Sequence, residues 1–201
     1  MLKKTCLALL LSLLSLFFAS ARAQEADAAI HEELRAALRV VENAINTGQY
    51  EDMLPVLSAQ LRATPINQEF INGNEAIPPY FQRWFGEGGK LGSLEFHLTP
   101  DTLTELSPDK RWGLVYGDGT EKYVLRDGRA YELKTRWTAA MAREEDGKWR
   151  VRAIHIGTNF LDNPILSEAE SAVRKAGLAG SIGGLLVGFL FAFFFCRKRG
   201  G

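Results

Sequence analysis

The chain has 201 residues, and 24 Lys and Arg balance 24 Asp and Glu. That balance excludes the basic surplus an electrostatic nucleic-acid binder depends on, so no nucleic-acid partner is expected. Cys6 and Cys196 both lie in apolar end segments with no cysteine between them, which excludes a disulfide framework or a cysteine zinc site in the central region.

In chain order, Met1–Ala23 opens with Lys3 and Lys4, continues as the apolar run Leu7–Ala19 and ends Ala21-Arg22-Ala23. This is the pattern of a secretory signal peptide cut after Ala23. An uncleaved anchor is the alternative, but the run is short for a span. Glu25–Thr47 predicts a helix, because Ile30, Leu34, Ala37, Leu38, Val41, Ala44 and Ile45 share one face, and Gly48 is a natural stop. Gln49–Ser58 predicts a shorter amphipathic helix around Met53, Leu54 and Leu57. Arg62–Ile71 is expected to be extended and to end in the turn Asn72-Gly73-Asn74. Glu75–Phe85 returns to helical spacing through Ile77, Tyr80, Phe81, Trp84 and Phe85, with Pro78 and Pro79 tolerable only in its first turn.

From Ser93 the pattern is that of strands. Ser93–Leu98, Thr102–Leu106, Trp112–Tyr116 and Glu121–Arg126 are expected, with a bulge or kink at Gly117-Asp118-Gly119. Asp127-Gly128 turns the chain into its clearest feature, two long antiparallel strands within Arg129–Gly157 joined at Asp146-Gly147. Asp-Gly between strand-like runs signals a hairpin because the tight turn needs positive φ. Helices segregated from an antiparallel sheet define an α+β fold.

Asn163–Lys175 predicts another helix, with Ser167-Glu168-Ala169-Glu170 as a capping box. Leu178–Cys196 carries no charge and would extend about 28 Å as a helix, enough to cross a hydrocarbon core. Arg197-Lys198-Arg199 follows, and positive charge stays on the cytoplasmic side. The expected organisation is therefore a signal peptide (1–23), a domain (25–160), a stalk (161–177), a membrane helix (178–196) and a cytoplasmic tail (197–201). The domain would lie on the extracytoplasmic, periplasmic side. Gly180, Gly184 and Gly188 recur every four residues and form a small-residue stripe, a candidate helix–helix seam. A C-terminal sorting signal removed by a membrane protease is the alternative for this tail.

The order of elements resembles the nuclear transport factor 2-like superfamily, more closely its polyketide-cyclase-like and ketosteroid-isomerase-like bacterial branch. The resemblance rests on Asn72-Gly73-Asn74-Glu75-Ala76-Ile77, on Arg136-Trp137-Thr138-Ala139, on Asp146-Gly147-Lys148-Trp149-Arg150-Val151 and on His155. It covers roughly Glu25 to Phe160 and leaves out both ends. It implies a cone-shaped curved sheet wrapped on three helices, a pocket inside and a homodimer formed through the outer face of the sheet. Fold alone does not assign function, since the same cone hosts isomerases, dehydratases, cyclases and binding modules.

Strict alternation in Trp149–Ile156 would put Trp149, Val151, Ala153 and His155 on one face. His155 is then the candidate general base or ligand-orienting group. On the preceding strand, Tyr131, Leu133, Thr135, Trp137, Ala139 and Met141 share a face. The expected ligand pocket is Tyr80, Trp84, Tyr131, Trp137 and His155, with Arg136 able to reach an anion or to sit on the dimer face. The resemblance implies that an enzyme would place an acid in the first extended segment after the second helix; Leu61-Arg62-Ala63-Thr64-Pro65 has none, the next acid is Glu69, and Asp118 and Glu121 read as solvated. That lowers the case for proton-transfer catalysis, which needs an acid in the pocket. His31, His97 and His155 lack ligand spacing, so no metal is expected, and no phosphate-loop or dinucleotide fingerprint calls for a cofactor. The reading is a membrane-tethered module for a small apolar ligand or a protein partner. The alternatives are an isomerase-, dehydratase- or cyclase-like enzyme and a structural subunit of a membrane complex.

Overall fold

The computed structural model describes residues 27–199, with side chains through residue 192. The proposed signal peptide and the last two residues of the basic tail fall outside these. The described residues divide after Thr158 into two compact units.

The first unit begins with helix α1, residues 27–47, which buries Leu34, Ala37, Ala44 and Ile45 as the spacing requires. Gly48 ends it at φ 71°, a left-handed conformation that suits glycine. The next segment is a 3-10 helix, Tyr50–Val56, and not the expected amphipathic α-helix. Pro55 lies within it, and proline offers no N–H to an α-helical ladder. Strand β1 then starts at Leu57, five residues before the expected extension, and runs to Thr64. The two-residue strand β2, Ile71–Asn72, folds back on it. A 3-10 turn, Asn74–Ala76, leads into α2, Ile77–Phe85, with its prolines in the first turn as the sequence demands. Phe81 of α2 stacks on Tyr50 at a centroid distance of 4.1 Å, which fixes the helix against the preceding turn.

Strands β3 (Leu91–Pro100), β4 (Glu105–Leu106), β5 (Trp112–Leu125), β6 (Ala130–Arg143) and β7 (Trp149–Thr158) complete a seven-stranded sheet. Its order is β2-β1-β7-β6-β5-β3, with β4 paired to β5. The β1–β7 pair is parallel and every other pair is antiparallel. The sheet is curved and unclosed, with α1 and α2 against its concave face.

Two local expectations change. Gly117-Asp118-Gly119 is no kink, because β5 pairs with β6 in continuous register from Trp112–Ala142 to Val124–Ala130. The glycines serve close approach instead: a Cβ on Gly117 would meet Thr99 O at 2.1 Å, and one on Gly119 would meet Thr135 Oγ1 at 2.3 Å. The irregularity lies in the last strand. Ala140 pairs with Ala153 and Met141 with Val151, so Arg152 is an extra residue, a β-bulge. The hairpin turn itself is as expected, with Gly147 at φ 79°.

At the free edge of β3, α1 supplies the missing partners. Asn46 Nδ2 donates to Phe96 O at 2.9 Å, Phe96 N donates to Asn46 Oδ1 at 2.6 Å, and Leu98 N donates to Glu42 Oε1 at 2.6 Å. Two side chains of a helix thus take the place of a neighbouring strand.

The second unit is one continuous helix, α3, Pro164–Arg199. Asn163 caps it through Oδ1, which accepts from Leu166 N at 3.0 Å. The Ser167 capping box therefore falls inside the helix and does not start it. Within α3, Pro164–Ala192 is long and apolar enough to cross a membrane, with a mean hydropathy of 1.6 over its most apolar window. A Cβ added at Gly180, Gly184 or Gly188 would meet open space.

Candidate functional site

The inward residues of β6 alternate as their sequence requires: Leu133, Thr135, Trp137, Ala139 and Met141 are all buried. They do not pack into one continuous core. One cluster gathers Met53, Leu61, Phe81, Phe96, Leu98 and Trp137 among others. A second, smaller one joins Leu34, Met141 and Trp149. Residues of both line a pocket of about 490 Å³ that opens to solvent, and Val115 and Val151 pack against each cluster. A domain of this size usually has one contiguous core, and voids larger than a water molecule are few.

Helix α1 forms one wall of the cavity through Leu34, Leu38 and Val41, and the sheet forms the other through Leu98, Val115, Trp137, Ala139, Met141, Val151 and Ile154. Trp137 is anchored in that wall, its indole N–H donating to Asp118 O at 2.9 Å. Polar residues gather along α1: His31, Arg35, Arg39 and Glu42 also line the space. Glu42 accepts from Leu98 N and lies 3.0 Å from His97 Nδ1. Arg35 and Arg39 both pair with Glu32, at 3.1 and 2.9 Å. His31 Nδ1 is buried and has no hydrogen-bond partner among the described residues.

A second polar group sits further along the concave face, against α2. Glu121 is among the most buried side chains described, at 2% exposure. It follows Gly119 and precedes Tyr123 on the inner face of β5, as period-two alternation dictates once the strand is continuous. The Tyr123 hydroxyl donates to Glu121 Oε2 in a short hydrogen bond. Glu121 Oε1 and Thr135 Oγ1 are buried without a well-formed partner. Burial pushes the Glu121 carboxyl above its ordinary range, and the Tyr123 and Thr135 hydroxyls offset only part of this. Burial, followed by the nearby Glu121 carboxyl, pushes the Tyr123 phenol upward. Burial also raises Tyr80, with Glu69 and Glu121 adding to the effect.

The five residues expected to form a pocket do not converge. Trp137 lines the cavity. Tyr80 lies near Glu69 and Glu121 and stands edge-on to Phe81. Trp84 donates from Nε1 to Glu69 Oε1 at 3.0 Å, and Arg83 pairs with the same carboxylate. Tyr131 is half-buried near the β5–β6 turn, its hydroxyl accepting from Arg129 at 3.2 Å. His155 is exposed. The bulge at Arg152 is the reason: Trp149 and Val151 face inward before it, and Ile154 and Ile156 face inward after it. His155→Ala is accordingly expected to change stability by less than about 0.5 kcal/mol, measured by thermal melts. Arg136 lies on the outer face, held by Asp101 at 2.6 Å and by Asp118 at 2.8 Å. Among the described residues no His, Cys, Asp and Glu group is placed to hold a metal ion.

Sequence reasoning did not single out His31, Arg35, Arg39, Glu42 or Glu121 as site residues. The first four follow at helical spacing beside the apolar stripe of α1. Glu121 was legible only through the register of β5.

No family model matches this sequence, and no curated protein matches it. Solved structures do match in shape. The nuclear transport factor 2-like superfamily protein from Salmonella enterica shares 14% identity, with 65% of this chain and 92% of that one covered, at a TM-score of 0.52. A ketosteroid isomerase-like protein from Erwinia carotovora shares 11%, covering 65% and 94%, at 0.51. A hexachlorocyclohexane dehydrochlorinase shares 12%, covering 68% and 88%, at 0.52. The fold of the first unit is therefore nuclear transport factor 2-like, an α+β cone, and an apolar C-terminal helix is added to it.

Proposed function

We propose that this chain is a membrane-tethered binding module whose cone holds an elongated apolar ligand. The observation that carries the reading is the open, mostly apolar pocket of about 490 Å³ between α1 and the sheet. Its size and mostly apolar lining are those of a small-molecule site. The signal-peptide pattern, the apolar α3 and the basic tail support a domain on the extracytoplasmic side with α3 as its anchor. The charged outer face of β6 and the glycine stripe of α3 are the surfaces on which a second copy or a protein partner would pair.

The test uses the full chain in lipid nanodiscs and a photoreactive alkane. Labelled peptides are expected from α1 and β6 as well as from α3, and Val115→Trp, which fills the cavity, is expected to abolish the first two. Labelling confined to α3, or unchanged in the filled variant, would sink the reading.

A second reading, an enzyme, is favoured by Glu121. A buried carboxyl whose pKa burial raises, next to tyrosine hydroxyls, is suited to donate a proton to a substrate. Some proteins of this fold are enzymes, the dehydrochlorinase among them. Under this reading Glu121→Gln retains ligand binding and loses turnover. Turnover that survives the substitution would remove Glu121 from the chemistry.

A further inference from the structure

The apolar walls explain why a ligand would enter the cavity but not which end of it would remain polar. That information lies on α1. His31, Arg35 and Arg39 are spaced four residues apart, so they form a single stripe along one side of the helix. Leu34, Leu38 and Val41 form the neighbouring stripe, and both stripes border the same cavity. The wall contributed by α1 is thus amphipathic along its length, which is about 16 Å from His31 to Glu42.

The charges on this wall are unequal. Arg35 and Arg39 contribute two guanidinium groups, and Glu42 is the one carboxylate among the described lining residues. Glu42 is already committed to Leu98 N and His97. The guanidinium groups share the exposed Glu32, which lies outside the cavity, and their side chains are 50% and 61% exposed. Exposed pairs of this kind are weak and exchange readily. The opposite rim offers Pro100, Thr102 and Leu103, all exposed and none charged. One turn before Arg35, His31 Nδ1 is buried without a partner, and a buried polar atom in that state calls for one.

We infer that the cavity takes an amphiphile with an anionic head, a carboxylate on an alkyl chain. The chain lies between Leu38 and Trp137, and the head sits against the stripe His31, Arg35 and Arg39. An arginine fork matches a carboxylate in two parallel hydrogen bonds, and a ring N–H of His31 donates a third. The head takes over from Glu32 as the partner of the two arginines. The inference rests on the cavity being a ligand site.

The experiment separates those two claims. Full chain in nanodiscs of zwitterionic lipid is titrated with diazirine-bearing decanoate, decanol and decyltrimethylammonium, at matched concentrations in the bilayer. Crosslinks are mapped by mass spectrometry. Decanoate is expected to label α1 and β6 with at least about tenfold higher affinity than decanol, one charge-assisted pairing being of that order. Arg35→Gln with Arg39→Gln is expected to erase that preference, decanoate then labelling no better than decanol. Arg35→Lys with Arg39→Lys should restore part of it. Both positions are exposed, and thermal melts check that the variants remain folded. Equal labelling by decanol, or stronger labelling by the cationic probe, overturns the anionic class while the cavity stands as a ligand site. Failure of all three probes to label α1 and β6 overturns both.

Discussion

Glu121→Gln is expected to stabilise the domain at neutral pH. The reason is linkage. Burial holds the folded-state pKa of Glu121 above its ordinary value of 4.5. Below that value both the folded and unfolded states carry the proton, and the contribution of this group is fully present. As pH rises past 4.5, the unfolded chain releases the proton while the folded one retains it, so stability falls until the folded carboxyl also ionises. Glutamine keeps the shape and the hydrogen-bond capacity without a titrating proton. Urea melts of both proteins from pH 4 to pH 8 should show a downward slope in the parent that flattens in the variant. Parallel curves would mean that Glu121 is not the buried acid described here.

Trp137→Ala is expected to cost about 3–5 kcal/mol, the range for deleting a large buried aromatic side chain. Trp137 is 4% exposed, packs in the larger cluster and ties β6 to β5 through its bond to Asp118 O. It also forms part of the cavity wall, so the space left behind would merge with the existing one and gain little from collapse. That places the effect toward the upper end. Trp137→Phe should recover most of the stability, and the remaining deficit measures the lost indole bond. Guanidinium titrations of the three proteins give the comparison. A loss below about 1 kcal/mol for Trp137→Ala would show that the two clusters reclose without it.

The framework was legible wherever a period ran unbroken. Leu34, Ala37, Ala44 and Ile45 have helical spacing and are buried, and Tyr131 through Met141 alternate as the strand does. Turn chemistry was equally plain at Gly48, Gly128 and Gly147, each in a positive-φ conformation. Reading failed where a single residue shifts the phase. Arg152 is an ordinary residue in an ordinary strand pattern, and nothing local marks it as the bulge. Because side chains alternate with period two, one extra residue sends His155 outward and brings Ile154 and Ile156 inward. The opposite error occurred at Gly117-Asp118-Gly119. Two glycines suggested an interruption, whereas the strand runs straight through, and the missing Cβ atoms make room for Thr99 and Thr135. Misplacing that boundary hid Glu121, whose inward position depends on counting continuously from Trp112. The site residues of α1 were hidden differently. Arginine and histidine beside an apolar stripe look like a solvated flank, and only the cavity next to them distinguishes the two roles.

The contacts from Asn46 and Glu42 to β3 have a meaning for how copies of this protein avoid one another. A sheet that ends in a bare strand is a template for joining another sheet. Here the helix that roofs the cavity also covers that template at Phe96 and Leu98. Lifting α1 to admit a large ligand would uncover the edge at the same moment. The proposed membrane tether would concentrate such molecules in two dimensions, so a wide opening would carry a risk of chain-to-chain zippering. For the proposed ligand, passage between Arg35, Arg39 and the 100–104 loop, with the Asn46 end of α1 held in place, would keep the edge closed.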